Sequence, residues 1–403
     1  MSRYDYDYIL VGGGLQNGLI ALALANYRPQ VRVCILEATE RFGGNHTWSF
    51  HTADIPAGTE TFIEPLIVAS WPAYEVRFAD FTRVVPSRYA TITAAQFHAV
   101  VRQCGAARGW DLRLKTRVAF VALKGVTLES SEVLTARCVI DSRGPSGASG
   151  CGFQKFLGLE VELSSPWSDH LPVVIDATIP QDDGFHFMYI LPLAPTRVLV
   201  EDTYFSDGPE LDHKSALARV EAYLTRRAVE WRVLREESGV LPMPWQPQST
   251  PAANGPLVGG YAGGWFHPAT GYSFPIALRL ARAVASVCPE AAYRAAMALA
   301  HRLYPRLCFA RLLNWLLFKF VPPDGRRQVF SRLYRTLPPA VLARFYALEF
   351  TPADAARILL GRPPRIDLLR PLRRYGSLSW FSSKRLKHLH GHHPRRPHSI
   401  RSL

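Results

Sequence analysis

The feature that most constrains the fold is a glycine-rich segment near the N-terminus, YILVGGGLQNG at residues 8–18. Its four leading residues favour β-structure without alternation, which is typical of a strand buried on both faces. Gly12, Gly13 and Gly14 then permit a tight turn whose backbone can approach a pyrophosphate group. A helix predicted at 19–26 would present free N–H groups and a positive dipole end to that anion.

The second half of the pattern is an apolar run at residues 31–36 that ends in Glu37. An acid about 20 residues past the glycines is placed to accept hydrogen bonds from a ribose. The third glycine of a GxGxxG motif is replaced by Asn17, and Gly18 follows it. A plain glycine turn is the alternative, but strand, turn, helix, strand and acid together predict a βαβ unit that binds a dinucleotide, with Asn17 among its contacts.

Composition indicates a folded protein with an uneven distribution of charge. The 403 residues are 48% hydrophobic and carry a net charge of +14, and two or three subdomains are expected. Nine Lys or Arg but no acid follow Asp367, so nucleic acid and an anionic membrane surface are both candidate partners for the tail. Six scattered cysteines suggest neither disulfides nor a metal site, and fit a reducing compartment. The early first strand leaves no room for a signal peptide.

A second glycine pair lies shortly after Glu37. Gly43 and Gly44 end an Arg-x-Gly-Gly sequence that is similar to an element of many flavin enzymes, although Asn45 replaces the Arg that often closes it. A surface turn is the alternative interpretation. His46 and Trp48 would then lie at an isoalloxazine ring or simply pack in the core.

The remaining chain predicts a nucleotide domain interrupted by β-rich segments. We expect alternating strand fragments throughout residues 61–92, a helix over 215–231, and a buried strand ending at Asp141 that returns beside the first strand. A glycine-rich junction around Gly271 is a second place to hold a dinucleotide. The predicted parts are the nucleotide domain at 1–60, 93–152 and 251–290, a substrate-side β insertion at 61–92, a β-rich substrate domain at 153–250, a helical membrane-associated region at 291–375 and a basic, His-rich tail at 376–403.

Two adjacent acids, Glu201 and Asp202, fall within a strand of the predicted substrate domain. Neighbours on a strand point to opposite faces, so one of the two can face a cavity. Further along, residues 303–321 are intensely apolar but contain four polar side chains, which makes them a poor membrane span. Nine basic residues against two acids between 301 and 351 favour a helix lying in the bilayer interface, with a domain-core helix as the alternative. The histidines of the tail could bind metal, but a solvated tail is the simpler interpretation.

Four segments together, GGGLQNGLIAL, GGNHTWSF, VEDTYF and FHPATGYS, resemble the bacterial lycopene β-cyclase family, and the resemblance extends from Tyr8 to about Pro364. It implies an α/β fold with a two-dinucleotide-type FAD domain, reduced FAD as cofactor and NAD(P)H as electron donor. The family reaction converts each linear ψ end of lycopene to a β ring by acid–base chemistry, without net redox change. Glu201 matches the family's essential carboxylate, and Asp202 is the other candidate.

The resemblance also implies a place in the cell. A lycopene substrate would be drawn from the membrane, so we expect peripheral or monotopic attachment on the cytoplasmic side, no nucleic acid, and contact with other carotenoid enzymes. The proton could come from Glu201 or from reduced flavin. Two alternative functions remain. One is a redox flavoenzyme, a hydroxylase or reductase, that acts on a membrane isoprenoid and would change the mass of the product. The other is a non-catalytic carotenoid- or membrane-binding protein, which would need no flavin.

Overall fold

The computed structural model describes residues 4–144, 150–227, 230–247, 255–360 and 367. The described strands, in chain order, are β1 Tyr6–Val11, β2 Val33–Leu36, β3 Thr47–His51, β4 Ala69–Trp71, β5 Tyr74–Phe78, β6 Phe81–Val85, β7 Tyr89–Thr93, β8 Asp111–Arg113, β9 Val118–Ala122, β10 Gly125–Leu128, β11 Val133–Asp141, β12 Cys151–Leu163, β13 Val173–Asp176, β14 Phe185–Ala194, β15 Arg197–Ser206, β16 Trp231–Pro244 and β17 Leu257–Val258. The α-helices are α1 Leu15–Tyr27, α2 Glu60–Ile63, α3 Ala94–Ala107, α4 His213–Arg226, α5 Phe274–Ala285, α6 Ala292–Phe320, α7 Arg326–Thr336, α8 Pro339–Tyr346 and α9 Pro352–Leu359.

The predicted βαβ unit is confirmed and lies at the centre of the first sheet. Strand β1 pairs in parallel with β2 on one side and with β11 on the other. Its inner residues Tyr8, Ile9 and Leu10 are completely buried, because α1 and α5 cover one face of the sheet and apolar side chains cover the other. Helix α1 begins at Leu15, directly after the glycines and earlier than expected. The return of β11 beside β1 is as predicted.

A second seven-stranded sheet has the order β16-β12-β15-β14-β13-β5-β6. It is antiparallel except where β13 runs parallel to β5. Helix α4 packs on one face through Ala216, Val220 and Leu224, so the opposite face is free to form a cavity. The predicted helix over 215–231 is too long, because α4 ends at Arg226 and residue 231 already begins β16.

The expectation of strands throughout 61–92 is wrong at its beginning. The segment that starts this range is α2 followed by a single turn of 3-10 helix at Glu64–Leu66. The buried residues there, Phe62, Ile63 and Leu66, recur at helical spacing rather than alternating, which explains the helical structure. Strands β5 and β6 join the second sheet, whereas β4 and β7 form a small third sheet with β3.

Helix α6 is 29 residues long and contains Pro305 well inside it, not near its start as expected. Its buried side chains form one stripe along the helix, which includes Leu299, Leu303, Leu307 and Asn314. None of the helices in the described ranges is long and apolar enough to cross a membrane. The tail at 376–403, with its histidines, lies outside the described residues.

Candidate active site

One cavity of about 840 Å³ lies between the first and second sheets. It extends from the glycine turn after β1 to the face of the second sheet that α4 leaves uncovered. The structure brings most of the predicted site residues to its wall: Gly12, Gly14, Glu37, Gly43, Gly44, His46, Glu201 and Gly271. Residues that are distant in sequence therefore share one site.

The nucleotide end of the cavity is built from the turn between β1 and α1. Gly12 has φ +88°, and a Cβ at this position would lie 3.0 Å from the carbonyl oxygen of Ser142, so glycine is required. The Glu37 carboxylate accepts hydrogen bonds of 2.7 Å from the backbone N–H groups of Gly13 and Thr39. The carboxyl group of Glu37 is thereby held at the end of β2, where a ribose would meet it.

Three predicted site residues do not line the cavity: Gly13, Asn17 and Asp202. The Asn17 amide donates to the carbonyls of Val11 and Gly12 at 2.9 and 2.8 Å, so this side chain fixes the turn from behind. A Cβ on Gly13 would lie 2.4 Å from the Phe42 ring, which makes this glycine a packing requirement. The side chains of Asn17 and Asp202 therefore face the protein interior, and Gly13 has none, so these three residues are not part of the cavity wall.

The middle of the cavity has the features that a flavin would need. Gly43, Gly44 and Gly271 all have positive φ, which lets their backbone turn closely around a ligand. Helix α5 begins beside Gly271, and its first residues line the cavity, so a second helix N-terminus faces the site. Gln16 and Gln154 line the same wall, and their buried Oε1 atoms have no hydrogen-bond partner within the chain. These acceptors, unsatisfied within the described part of the chain, suit the hydroxyl and N–H donors of FAD, so the residues present fit this cofactor.

The substrate end of the cavity contains Glu201 on β15. Side chains at 199, 201, 203 and 205 alternate with those at 198, 200 and 202, which face α4. Glu201 is 9% exposed and lines the cavity. Many other residues of the cavity wall are aromatic, including Tyr74, Tyr89, Phe156, Phe185, Phe187, Tyr189, Phe205, Phe330, Tyr334 and Tyr346.

Asp202 lies on the opposite face of the same strand, completely buried. Its carboxylate accepts hydrogen bonds from Tyr204 at 2.7 Å and from Arg219 of α4 at 3.0 Å, and it also contacts His186. These contacts satisfy the buried carboxyl group and join the sheet to the helix.

A second carboxyl group, Glu237 of β16, was missed by sequence reasoning. It is 3% exposed, pairs with Arg235, and accepts a hydrogen bond of 2.9 Å from Thr47 Oγ1. Its side chain also hydrogen-bonds to Glu201. Burial, followed by the negative charge of Glu237, raises the pKa of Glu201 well above its usual range. The sequence signal was a second acidic pair, Glu236 with Glu237, within a strand.

A further acid near the cavity, Asp54, was also missed. Tyr272 lines the cavity and donates a hydrogen bond of 2.5 Å to Asp54 Oδ2. Burial raises the pKa of Asp54 to about 7, although the Tyr272 hydrogen bond opposes this. Asp54 lies in the short turn of 3-10 helix that follows β3, and no sequence motif indicates its importance.

Comparison with known proteins finds a family model and relatives that match most of this chain. The family model described as lycopene cyclase protein matches residues 7–369. A lycopene beta-cyclase from Pantoea ananas is 38% identical over 373 residues, covering 89% of this chain and 95% of that protein. A lycopene beta-cyclase from a Paracoccus species is 37% identical over 369 residues, covering 89% of this chain and 94% of that protein.

Solved structures with a similar fold are more distant. A geranylgeranyl bacteriochlorophyll reductase-like protein from Thermoplasma acidophilum has a TM-score of 0.60 at 14% identity, covering 88% of this chain and 95% of the other. A probable FAD-dependent monooxygenase from Pseudomonas aeruginosa has a TM-score of 0.58 at 15% identity, covering 82% of this chain and all of the other (100%). The fold is therefore the α/β fold of such proteins, as predicted. The sequence match along nearly the whole chain, to the family model and to lycopene beta-cyclases, establishes that the chain belongs to the lycopene cyclase family.

Proposed function

We propose that this chain is a lycopene β-cyclase, which converts the linear ψ ends of lycopene to β rings, giving γ-carotene and then β-carotene. The observation that carries this proposal is the position of Glu201, a buried carboxyl group that faces an aromatic cavity continuous with the dinucleotide turn. Membership of the lycopene cyclase family supports the same reaction.

The reaction needs an acid but no net transfer of electrons. A proton from Glu201 adds to the terminal double bond of the substrate, whose π electrons form the new C–H bond. The next double bond along the chain attacks the resulting cation and forms the ring C–C bond, which moves the positive charge onto a ring carbon. A base then removes an adjacent proton, and the electrons of that C–H bond become the ring double bond. One proton enters and one leaves, so the mass of the carotenoid is unchanged.

The environment of Glu201 suits it to be the acid. Burial and the nearby charge of Glu237 raise the pKa of Glu201, which favours the protonated form of the carboxyl group that an acid requires. The apolar and aromatic part of the wall disfavours water, which would otherwise capture the cation. Rings such as Tyr89, Tyr189 and Phe187 lie along the same wall and attract a cation, by about 2 kcal/mol for a desolvated contact.

The cofactor would be held by residues at the other end of the cavity. Gly12, Gly14 and Glu37 would hold the nucleotide part of FAD, and the backbone at Gly43 and Gly271 would surround the remainder. When bound, reduced FAD supplies negative charge that stabilises a carbocation, or supplies the proton itself. NAD(P)H is proposed as the source of its electrons.

We further propose peripheral attachment to the cytoplasmic side of the cell membrane, since the substrate is an apolar molecule dissolved in the bilayer. Support comes from a second cavity of about 710 Å³ next to α5 and α6, which is lined by Arg279, Arg282, Arg302 and Arg306. The described lining contains a single acid, Glu349. Such a cluster of guanidinium groups favours anionic headgroups.

The activity can be tested with purified protein, lycopene in vesicles, FAD and NADPH under anaerobic conditions. We expect products with the absorbance of β rings and the mass of lycopene. A product of altered mass would instead identify a redox flavoenzyme, and unchanged lycopene despite bound reduced FAD would reject the proposed reaction.

A further inference from the structure

Three residues on neighbouring strands form a line across the second sheet. Gly158 of β12 is directly opposite Glu201 of β15, and it is also directly opposite Glu237 of β16. Residues opposite each other on neighbouring strands point to the same face of a sheet. The two glutamates therefore lie on one face, on either side of a residue without a side chain.

The absent side chain is what allows the two carboxyl groups to meet. Strands in a sheet are about 4.8 Å apart, so the backbones of β15 and β16 are separated by about 10 Å. A Cβ placed on Gly158 would lie 2.4 Å from Cγ of Glu201. The Glu201 side chain thus extends over Gly158 towards Glu237, in space that any other residue would fill.

The charges around the pair are distributed unequally. Glu237 has a cation and a hydroxyl donor, Arg235 and Thr47, and Arg235 is shared with Glu160 at 3.0 Å. Within the described part of the chain, no Lys, Arg or His forms an ion pair with Glu201. The negative charge is consequently favoured on Glu237 and the proton on Glu201.

Other titratable groups that face the pair remain neutral. Tyr189 of β14 is directly opposite Glu201, and it lies beside Tyr89 with their hydroxyl oxygens 3.2 Å apart. Burial raises the pKa of both phenols, so neither provides charge. His46, an exposed residue before β3, is near Glu237 and Arg235, and desolvation of its ring by the surrounding protein lowers its pKa.

We propose that Glu237 is a positioning residue, which places a fixed negative charge across Gly158 and so keeps the proton on Glu201 until it is transferred to substrate. Glu237 does not line the cavity, so it acts through Glu201. This inference rests on the proposed function for its rate measurement. Its direct consequence is a proton affinity, which can be measured without turnover.

The experiment compares the pH dependence of cyclisation in the wild type and in Glu237→Gln, both loaded with reduced FAD. Activity requires protonated Glu201, so it is present below the pKa of Glu201 and lost as the pH rises through that value. Removing a like charge lowers this pKa, and the loss of activity in Glu237→Gln should begin about one pH unit or more lower. At pH values well above the wild-type pKa of Glu201, a shift of this size equals about a tenfold or greater additional loss of activity.

Two further variants separate this role from a structural one. Glu236→Gln removes one charge from the neighbouring position, which faces away and pairs with His213, and should leave the profile unchanged. Glu237→Asp keeps the charge but withdraws it by one methylene, so its profile should lie between those of the wild type and Glu237→Gln. A uniform loss of rate with identical profiles in all of these variants would overturn the proposal.

Infrared titration without substrate provides the second measurement. The carbonyl band of a protonated carboxyl group is assigned to Glu201 by its absence in Glu201→Gln, and its midpoint should move to lower pH in Glu237→Gln and less so in Glu237→Asp. Because this readout needs no product, failure of lycopene cyclisation would reject the proposed function alone. An unmoved midpoint would reject the role of Glu237 alone.

Discussion

Two adjacent carboxyl groups on β15 differ in chemistry because they face different surroundings. Asp202 accepts hydrogen bonds from Arg219 and Tyr204, which fix its carboxyl group between the sheet and α4. Glu201 faces the aromatic cavity, where its ionised form is disfavoured. Of these two adjacent residues, Asp202 therefore has a structural role, whereas Glu201 is the proposed acid.

Replacement of Glu201 by glutamine tests the acid directly. Glutamine keeps the shape of the side chain but has no titratable proton, so we expect Glu201→Gln to lower the cyclisation rate by about 10²–10⁴-fold. FAD content, measured by absorbance, should remain near that of the wild type. Full conversion of lycopene by this variant would assign the proton to reduced flavin instead.

Asp202→Asn is the matched control on the same strand. The change weakens charge-assisted hydrogen bonds to Tyr204 and Arg219, so the free energy of unfolding should fall by about 2 kcal/mol, visible in a denaturant titration. The rate per folded molecule should change much less than in Glu201→Gln. A larger loss of rate in Asp202→Asn than in Glu201→Gln would move the acid to position 202.

At the scale of elements, the β1–α1 turn and the end of β2 form one unit. Glu37 connects them, because its carboxylate accepts hydrogen bonds from Gly13 and Thr39 while lining the cavity. Glu37→Ala removes both the acceptor for a ribose and a support of the turn. We expect weaker FAD binding, by about 1.5–3 kcal/mol for each charge-assisted hydrogen bond lost, measured by fluorescence titration of the apoprotein. Unchanged affinity would place the ribose elsewhere.

Helix α6 is joined to the rest of the protein by a buried amide. Asn314 donates hydrogen bonds to the carbonyl oxygens of Pro244 and Pro268 at 3.0 and 2.7 Å, which connects the helix to the end of β16 and to the loop before α5. Asn314→Leu leaves both carbonyls unpaired, so the free energy of unfolding should fall by about 2–5 kcal/mol. Leu312→Ala, at a 40% exposed position of the same helix, should cost far less. Equal effects would show that the amide has no special role.

The whole molecule combines a net charge of +14 with an arginine-lined cavity. We expect binding to vesicles that contain anionic lipid, and weaker binding at high salt, since charges are screened over about 8 Å at physiological ionic strength. The double variant Arg282→Glu and Arg302→Glu should reduce sedimentation with these vesicles. The double variant Arg102→Glu and Arg117→Glu changes the net charge by the same amount on other parts of the chain and is the matched control. Equal reduction by both pairs would mean that net charge, not this cavity, determines binding.

The sequence alone determined the features that depend on neighbours along the chain. The βαβ unit follows from the period of its apolar residues and its glycines, and the opposite orientation of Glu201 and Asp202 follows from strand alternation. The resemblance of its motifs also indicated the family. The length of α1 and the position of Pro305 within α6 were misjudged because the boundaries of a helix are set by its packing as much as by its own residues.

The tertiary structure decided what depends on distant residues. Residues 62–66 form a helical turn because their apolar side chains all bury against the core, and Asn314 became a core residue because two carbonyls from other segments require it. Glu237 meets Glu201 because β12 lies between their strands and has a glycine at the crossing point. Strand order and register are set by contacts among segments far apart in the chain, so no local pattern could predict this pair.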